Sequence, residues 1–229
     1  MSGLESAQVE TSETIAIAPA AAPARPSNPT RSLFHMTSAV VSLSFILVVF
    51  TPTQLPWVAG SIAAALWTLE ALRHPLPRVN VVLMRLFRPI AHASEAERIN
   101  SGTWYMTALT LLAITRSAWI CLVGVAVLGF ADPAASFVGR RWGRVELIHG
   151  RTLEGGLAFV VAGTVAGTIA LELMKPRPEL GLALLVAFIA SVTGAVAEML
   201  SRRLDDNLTI PLVSAGTAAA VVLALGRPL

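Results

Sequence analysis

From residue 31 onward the chain is a series of apolar runs parted by short polar breaks. The runs lie near 34–51, 55–72, 103–115, 117–133, 155–174, 180–200 and 208–226. A helix that crosses a bilayer needs about 20 mostly apolar residues, fewer where neighbours cover its ends. The pattern therefore predicts an all-α integral membrane protein, a polytopic bundle of about seven transmembrane helices. The third and fourth runs are short and nearly continuous, broken by Arg116-Ser117. They read as two helices with a tight turn, one long kinked helix being the alternative. Gly163-Thr164, Gly167-Thr168, Gly194 and Gly216-Thr217 offer small faces on which helices can approach closely. Between the second and third runs, Pro75, Pro77 and Pro89 surround an amphipathic stretch at Val79–Phe87, expected to lie along the membrane surface.

Residues 1–30 are different material. Glu5, Glu10 and Glu13 precede Ala/Pro repeats, a composition that buries too little apolar surface to offset the entropy of ordering. A disordered tail is expected there, without the basic start and apolar core of a signal peptide, and 31–229 is expected to form one membrane domain. Composition agrees: 55% of residues are hydrophobic, 14% are charged, and the mean hydropathy is +0.69. The net charge of +3 belongs to membrane sidedness rather than to nucleic acid, for which no role is expected. With seven spans, 13 of the 17 basic residues fall on the N-terminal face and 4, namely Arg116, Lys175, Arg177 and Arg227, on the other. By the positive-inside rule the N-terminus is cytoplasmic and the C-terminus outside. Few lysines and much alanine hint at a GC-rich genome, and a bacterial inner (cell) membrane is the expected location. Cys121 sits within an apolar run and excludes an intramolecular disulfide.

The same orientation gathers most helix-boundary acids on the cytoplasmic side, Glu172 and Glu179 excepted. Acids at a bilayer edge are expensive and usually mark a site. Asp132 is placed at the end of the fourth span, where Pro133 lets the helix stop or bend. Its carboxylate suits Mg²⁺, or else it pairs with a nearby arginine. Gly139-Arg140-Arg141-Trp142-Gly143-Arg144 reads as a mobile loop able to bring guanidinium groups onto phosphates, or as ordinary positive-inside charge. Arg151-Thr152-Leu153-Glu154-Gly155 opens a helix, whose N-terminus attracts anions. Glu154 would repel a phosphate unless a metal lay between them, which makes it a second candidate Mg²⁺ ligand. Asp205-Asp206-Asn207 enters the last span, either as a helix cap formed by Asp206 or Asn207 or as a group that positions a metal or hydroxyl. His35 near the first span's start reads by default as a structural hydrogen-bonding group. Glu70 and Arg73 face each other across one turn, and an intrahelical ion pair is the default there too. The 95–105 segment, with Arg98 and Gly102, is unusually polar for a simple connector.

Taken together, these segments resemble the CTP-dependent polyprenol/lipid kinase family, which includes dolichol, phytol and farnesol kinases and a CTP-using diacylglycerol kinase. The likeness runs from about Arg31 to Pro211. The family's Arg-Lys-x-x-His corresponds to Arg31 through His35, its Glu-x-x-Arg to Glu70 and Arg73, and its Gly-x-x-(Tyr/Trp) to Gly102 through Tyr105. Its Gly-Asp-x-x-Ala-Ser-x-x-Gly-(Arg/Lys)-x-x-Gly is matched by Asp132, Ala135, Ser136, Gly139, Arg140 and Gly143. Lys-Thr-x-Glu-Gly corresponds to Arg151, Thr152, Glu154 and Gly155, and Asp-Asp-Asn-Leu-Thr-(Ile/Val)-Pro to residues 205–211. Three positions depart from the pattern: Ser32 for lysine, Ala131 for glycine and Arg151 for lysine, the last keeping charge but changing geometry.

The resemblance implies transfer of the γ-phosphoryl of CTP to the hydroxyl of a lipid alcohol at the cytoplasmic interface, with Mg²⁺ as cofactor. It assigns the metal to Asp132 and Glu154 with Asp205 or Asp206, and orientation of the hydroxyl proton to Asp206 or Asp132. Nucleotide and phosphate contacts would fall to Arg31, Arg98, Ser136, Gly139, Arg140, Arg141, Gly143, Arg151, Thr152 and Gly155, with His35, Glu70, Arg73, Gly102 and Asn207 as further polar candidates. Two other readings compete. A membrane cytidylyltransferase would also use CTP and acids but make a CDP-lipid. A transporter or scaffold would carry polar groups near the membrane midplane, where most of these spans are plain Ala, Val, Leu and Gly.

Overall fold

The computed structural model describes residues 29–86, 98–201 and 204–228. Most of the expected tail, most of the 87–98 connector and Arg202-Arg203 lie outside the described residues. The described residues are helical with no strand, apart from one isolated bridge between Glu146 and Thr152. In chain order the helices are α1 (Pro29–Ser44), α2 (Leu55–Arg73), α3 (Pro77–Leu86), α4 (Ser101–Ile114), α5 (Ala118–Ala126), α6 (Asp132–Trp142), α7 (Leu153–Glu172), α8 (Leu180–Leu200) and α9 (Asp206–Ala224). Two π-helical segments extend this set: Phe45–Val49 continues α1, and Val127–Ala131 joins α5 to α6.

Among the described residues, six helical stretches are long and apolar enough to cross a membrane. The seventh expected span is α4, whose 14 residues measure about 21 Å at 1.5 Å per residue. Thr115 to Ser117 make the turn between α4 and α5, with Arg116 at a left-handed φ of 55°. Two helices, not one kinked helix, therefore occupy this region. The protein is an all-α polytopic bundle.

One helix organises it. Ala118–Trp142 runs unbroken for 25 residues through α5, the π segment and α6, and 72% of its apolar window is buried. Around it stand α1, α4, α7 and α9, with α8 packed between α7 and α9. Side chains such as Leu122, Val123, Val127 and Leu128 are fully buried, whereas Val161, Val165, Ile169 and Leu184 cover the outside. Lipid gives no hydrophobic drive between helices, so close packing has to hold them. The glycines supply it. A Cβ on Gly163 would lie 2.5 Å from the Ser191 hydroxyl and 3.2 Å from the Ala131 Cβ. One on Gly167 would meet Ala187, and one on Gly194 would meet Ser214 and Phe159. Gly216, expected to join this set, has nothing within 4 Å.

The fourth span corrects an expectation. The helix does not end at Asp132-Pro133; it widens into the π segment and resumes as α6, with Pro133 near the new start. Proline costs little there because its missing N–H falls where the hydrogen-bond ladder is already interrupted. Arg140 and Arg141, expected in a mobile loop, form the exposed last turn of α6.

Candidate active site

Polar groups from six parts of the chain meet at one end of the bundle. Arg31 at the start of α1 donates to the Ser101 hydroxyl at 3.1 Å, and Ser101 donates to Asp205 at 3.0 Å. Asp205 is the N-cap of α9: its other oxygen accepts from the Asn207 amide at 2.9 Å and from the Asn207 side chain at 2.8 Å. The cap is thus Asp205, not Asp206 or Asn207 as expected. A carboxylate there satisfies N–H groups that a helix start leaves open. Freed from capping, Asp206 turns to Arg151, which donates to it at 2.8 Å.

Arg151 is the centre of this arrangement. Its second terminal nitrogen donates to Glu198, a carboxylate only 3% exposed in the last turn of α8. One guanidinium therefore ties the entry of α7 to the end of α8 and the start of α9. A planar fork can serve two acids at fixed angles; a lysine ammonium is a point charge without that geometry. The departure at Arg151 is explained by this double contact.

Asp132 lies within electrostatic reach of His35, Glu198 and Asp206, yet among the described residues it makes no hydrogen bond or ion pair. Its surroundings come from the π segment. In a π turn the Leu128 carbonyl would be met by residue 133, a proline that has no N–H. The His35 ring lies near the Leu128 backbone, and its buried Nε2 has no hydrogen-bond partner among the described residues. His35 thereby sits between the π segment and Tyr105, 6.2 Å from the tyrosine ring.

The 132–143 motif is two stripes of one helix. Asp132, Ser136 and Arg140 follow one another at i, i+4 and i+8 on one face, and Arg140 donates to Ser136 at 3.1 Å. Ala135, Gly139 and Gly143 form the second stripe, which meets α7. A Cβ on Gly139 would fall 3.0 Å from the Thr152 hydroxyl, and one on Gly155 would fall 3.1 Å from the Ala135 carbonyl. Gly139, Gly143 and Gly155 thus have a packing reason to be glycine. Thr152 caps α7 by accepting from the Gly155 amide at 3.2 Å.

Glu154 is turned elsewhere. It accepts from the Val145 amide at 3.3 Å in the 143–152 connection, and it does not join Asp132, Asp205 and Asp206. Among the described residues no three His, Cys, Asp or Glu side chains form a ready metal cage. Mg²⁺ does not require one, because it is commonly held by one or two carboxylates together with substrate phosphates and water. Asp132 and the Asp206 oxygen turned away from Arg151 match that chemistry.

Glu70 and Arg73 are both buried and paired at 2.7 Å. Glu70 also accepts from the Asn100 amide at 3.0 Å, and Arg73 donates to Asn80 at 3.0 Å and to the Arg98 carbonyl. The pair is a clamp holding the end of α2 to α3 and to the start of α4. Gly102 donates to the Asn100 side chain at 2.8 Å, which sets the first turn of α4 and so places Ser101. Arg98 takes part through its carbonyl. Ser101 was absent from the site residues that the sequence suggested, and so was Glu198. Its signal was an acid in the final turn of an otherwise apolar 21-residue helix, an expensive position without a partner.

No protein-family profile and no solved structure matches this chain. Curated proteins do. A CTP-dependent diacylglycerol kinase 1 of Eremothecium gossypii is 26% identical over 208 residues, covering 81% of this chain and 64% of that protein. The protein of the same name from Schizosaccharomyces pombe is 28% identical over 65% of this chain and 72% of its own length. A phytol kinase of Synechocystis is 27% identical over 83% of this chain and 78% of its own length. The chain thus spans just under two thirds of the Eremothecium protein and roughly three quarters of the other two. Across most of its length, at these modest identities, the chain is a homologue of the CTP-dependent diacylglycerol kinases and phytol kinases.

Proposed function

We propose that this chain is a membrane kinase that transfers the γ-phosphoryl group of CTP to the hydroxyl of a lipid alcohol at the cytoplasmic interface. The carrying observation is the end-of-bundle cluster, in which Arg151 fixes Glu198 and Asp206 while Asp132, beside them, makes no ion pair among the described residues. Phosphoryl transfer asks mainly for positioning and charge neutralisation, and the groups for both converge here.

The lipid oxygen attacks the γ-phosphorus, the bond to the bridging oxygen breaks, and CDP leaves with the lipid phosphate as the other product. Asp206 or Asp132 orients the hydroxyl and takes its proton. Mg²⁺, held by Asp132 and Asp206, would neutralise charge on the phosphate oxygens. Arg140 and Arg141, exposed at the end of α6, supply guanidinium donors for phosphate. Arg151, engaged by two acids, keeps those acids in place. Arg31 acts through Ser101 on Asp205.

The test is purified protein in detergent with Mg²⁺ and CTP labelled at either the α- or the γ-phosphorus, against a panel of lipid alcohols. γ-Label in the lipid is the expected result. α-Label there would identify a cytidylyltransferase, and no label in any lipid would overturn the kinase reading.

A further inference from the structure

Helices α1 and α2 follow each other through a turn at 50–54, yet they scarcely touch. The first rests on α5, α6 and the π segment, the second on α4 and α3. Between them and α4 opens a groove of about 560 Å³, whose lining is mainly apolar but also takes in Ser38, Ser42, Glu70 and Arg73. It is lined from Leu55 to Arg73, the whole of α2, which at 1.5 Å per residue is about 28 Å. That is close to the ~30 Å thickness of a bilayer's hydrocarbon core.

The two ends differ. At the far end the walls are Phe50, Leu55, Ala113 and Cys121. At the near end stand Asn100, Gly102 and Thr103, beside Ser101, the residue that bridges Arg31 and Asp205. Leu83 and Met84 of α3 lie over this near end. The wall between groove and acid cluster includes Tyr105, whose hydroxyl donates to Ser42 at 2.9 Å and whose ring faces His35.

We infer that this groove holds the acceptor along its length, its hydroxyl at the Gly102 end and its chain running toward Cys121. The inference rests on the kinase reading for the word acceptor, and it commits to a lipid alcohol with a single long chain. A two-chain glyceride anchored at one interface places both chains within one leaflet, about half of the hydrocarbon thickness. A groove as long as α2 extends well past that depth and favours one chain laid lengthwise. The floor at Phe50, Leu55 and Cys121 then limits chain length.

The binding test needs no turnover. A hexaprenol analogue, long enough to run the length of α2, carries a photoreactive diazirine at the end of its chain and is irradiated with the full-length protein in phosphatidylglycerol–phosphatidylethanolamine nanodiscs, without CTP. Label on peptides containing Phe50–Leu55 or Cys121 is expected, undiminished by excess dioleoylglycerol. Label spread over outward residues such as Val161 and Ile169 would overturn the site, and displacement by dioleoylglycerol would overturn the single chain. The variant Ala59→Phe, one turn from the floor, shortens the groove. KM for hexaprenol should rise about 10-fold while the shorter farnesol is turned over as before, since apolar pockets discriminate on that scale. Equal loss for both alcohols, or for neither, counts against the inference. Labelled floor peptides without γ-phosphoryl transfer would remove the kinase reading and leave the groove; transfer with label elsewhere would do the reverse.

Discussion

Arg151 and Asp132 divide the labour of the acid cluster, and substitutions should separate them. Arg151→Ala leaves Glu198, 3% exposed, facing Asp206 and Asp132 with no cation between. Breaking a buried pair from one side costs about 3–5 kcal/mol, so a large fall in thermal midpoint is expected, with activity lost as a consequence. Arg151→Lys should recover part of the stability because it keeps the charge and loses the fork; differential scanning fluorimetry in detergent reads both. Asp132→Asn should behave in the opposite way. Among the described residues Asp132 has no hydrogen bond or ion pair to lose, so the midpoint should stay within a degree or two while kcat drops by about 100-fold or more, the scale of a lost electrostatic contact to the transition state. A stable and fully active Asp132→Asn protein would remove Asp132 from the metal. At this scale the sequence was informative about residue type and less so about pairing. Asp132, Asp205, Asp206 and Arg151 could be singled out because ionised groups at the bilayer edge are costly. That Arg151 reaches Glu198, 47 residues away, could not be read from local spacing.

At the scale of elements, apolar periodicity located every helix that crosses the bundle, including the short α4, because burial in lipid or in the core demands long apolar runs. Boundaries were harder. Pro133 suggested a helix end, and the helix ran on because a π turn takes up the missing N–H. The spacing of Asp132, Ser136 and Arg140 was itself a helical signal, obscured by glycines that read as a loop. Those glycines, with Gly163, let α6, α7 and α8 approach at backbone distance. Ala131, where the resembling family has glycine, is accommodated because Gly163 lies opposite it. Gly163→Val should then be destabilising on two sides, against Ser191 and Ala131, by the ~1–3 kcal/mol typical of overpacking. Gly216→Val, with open space around it, should leave the thermal midpoint nearly unchanged. Similar losses from both would show that these glycines serve helix flexibility and not contact.

At the scale of the whole molecule, the shared end of α1, α4, α6, α7, α8 and α9 carries the acid cluster, as the distribution of arginines implied. The positive-inside count predicts that this end faces the cytoplasm. After Cys121→Ala removes the native thiol, a cysteine at Ser2 should be shielded from a membrane-impermeant maleimide in intact cells, and one at Arg227 should react. The reverse pattern would invert the topology and put the site outside. The central helix gives this architecture one further property. Its π segment adds one residue to a turn, and each residue of an α-helix accounts for about 100°. Everything after Ala131 is therefore rotated by roughly that angle relative to the buried face of Leu122, Val123 and Val127. The extra residue works as a phase shift: α5 is free to satisfy the core, and α6 is free to aim Asp132, Ser136 and Arg140 toward the polar end. Removing one residue from Val127–Ala131 would give a more regular helix with nearly the same composition and length, its polar stripe pointed into the packing.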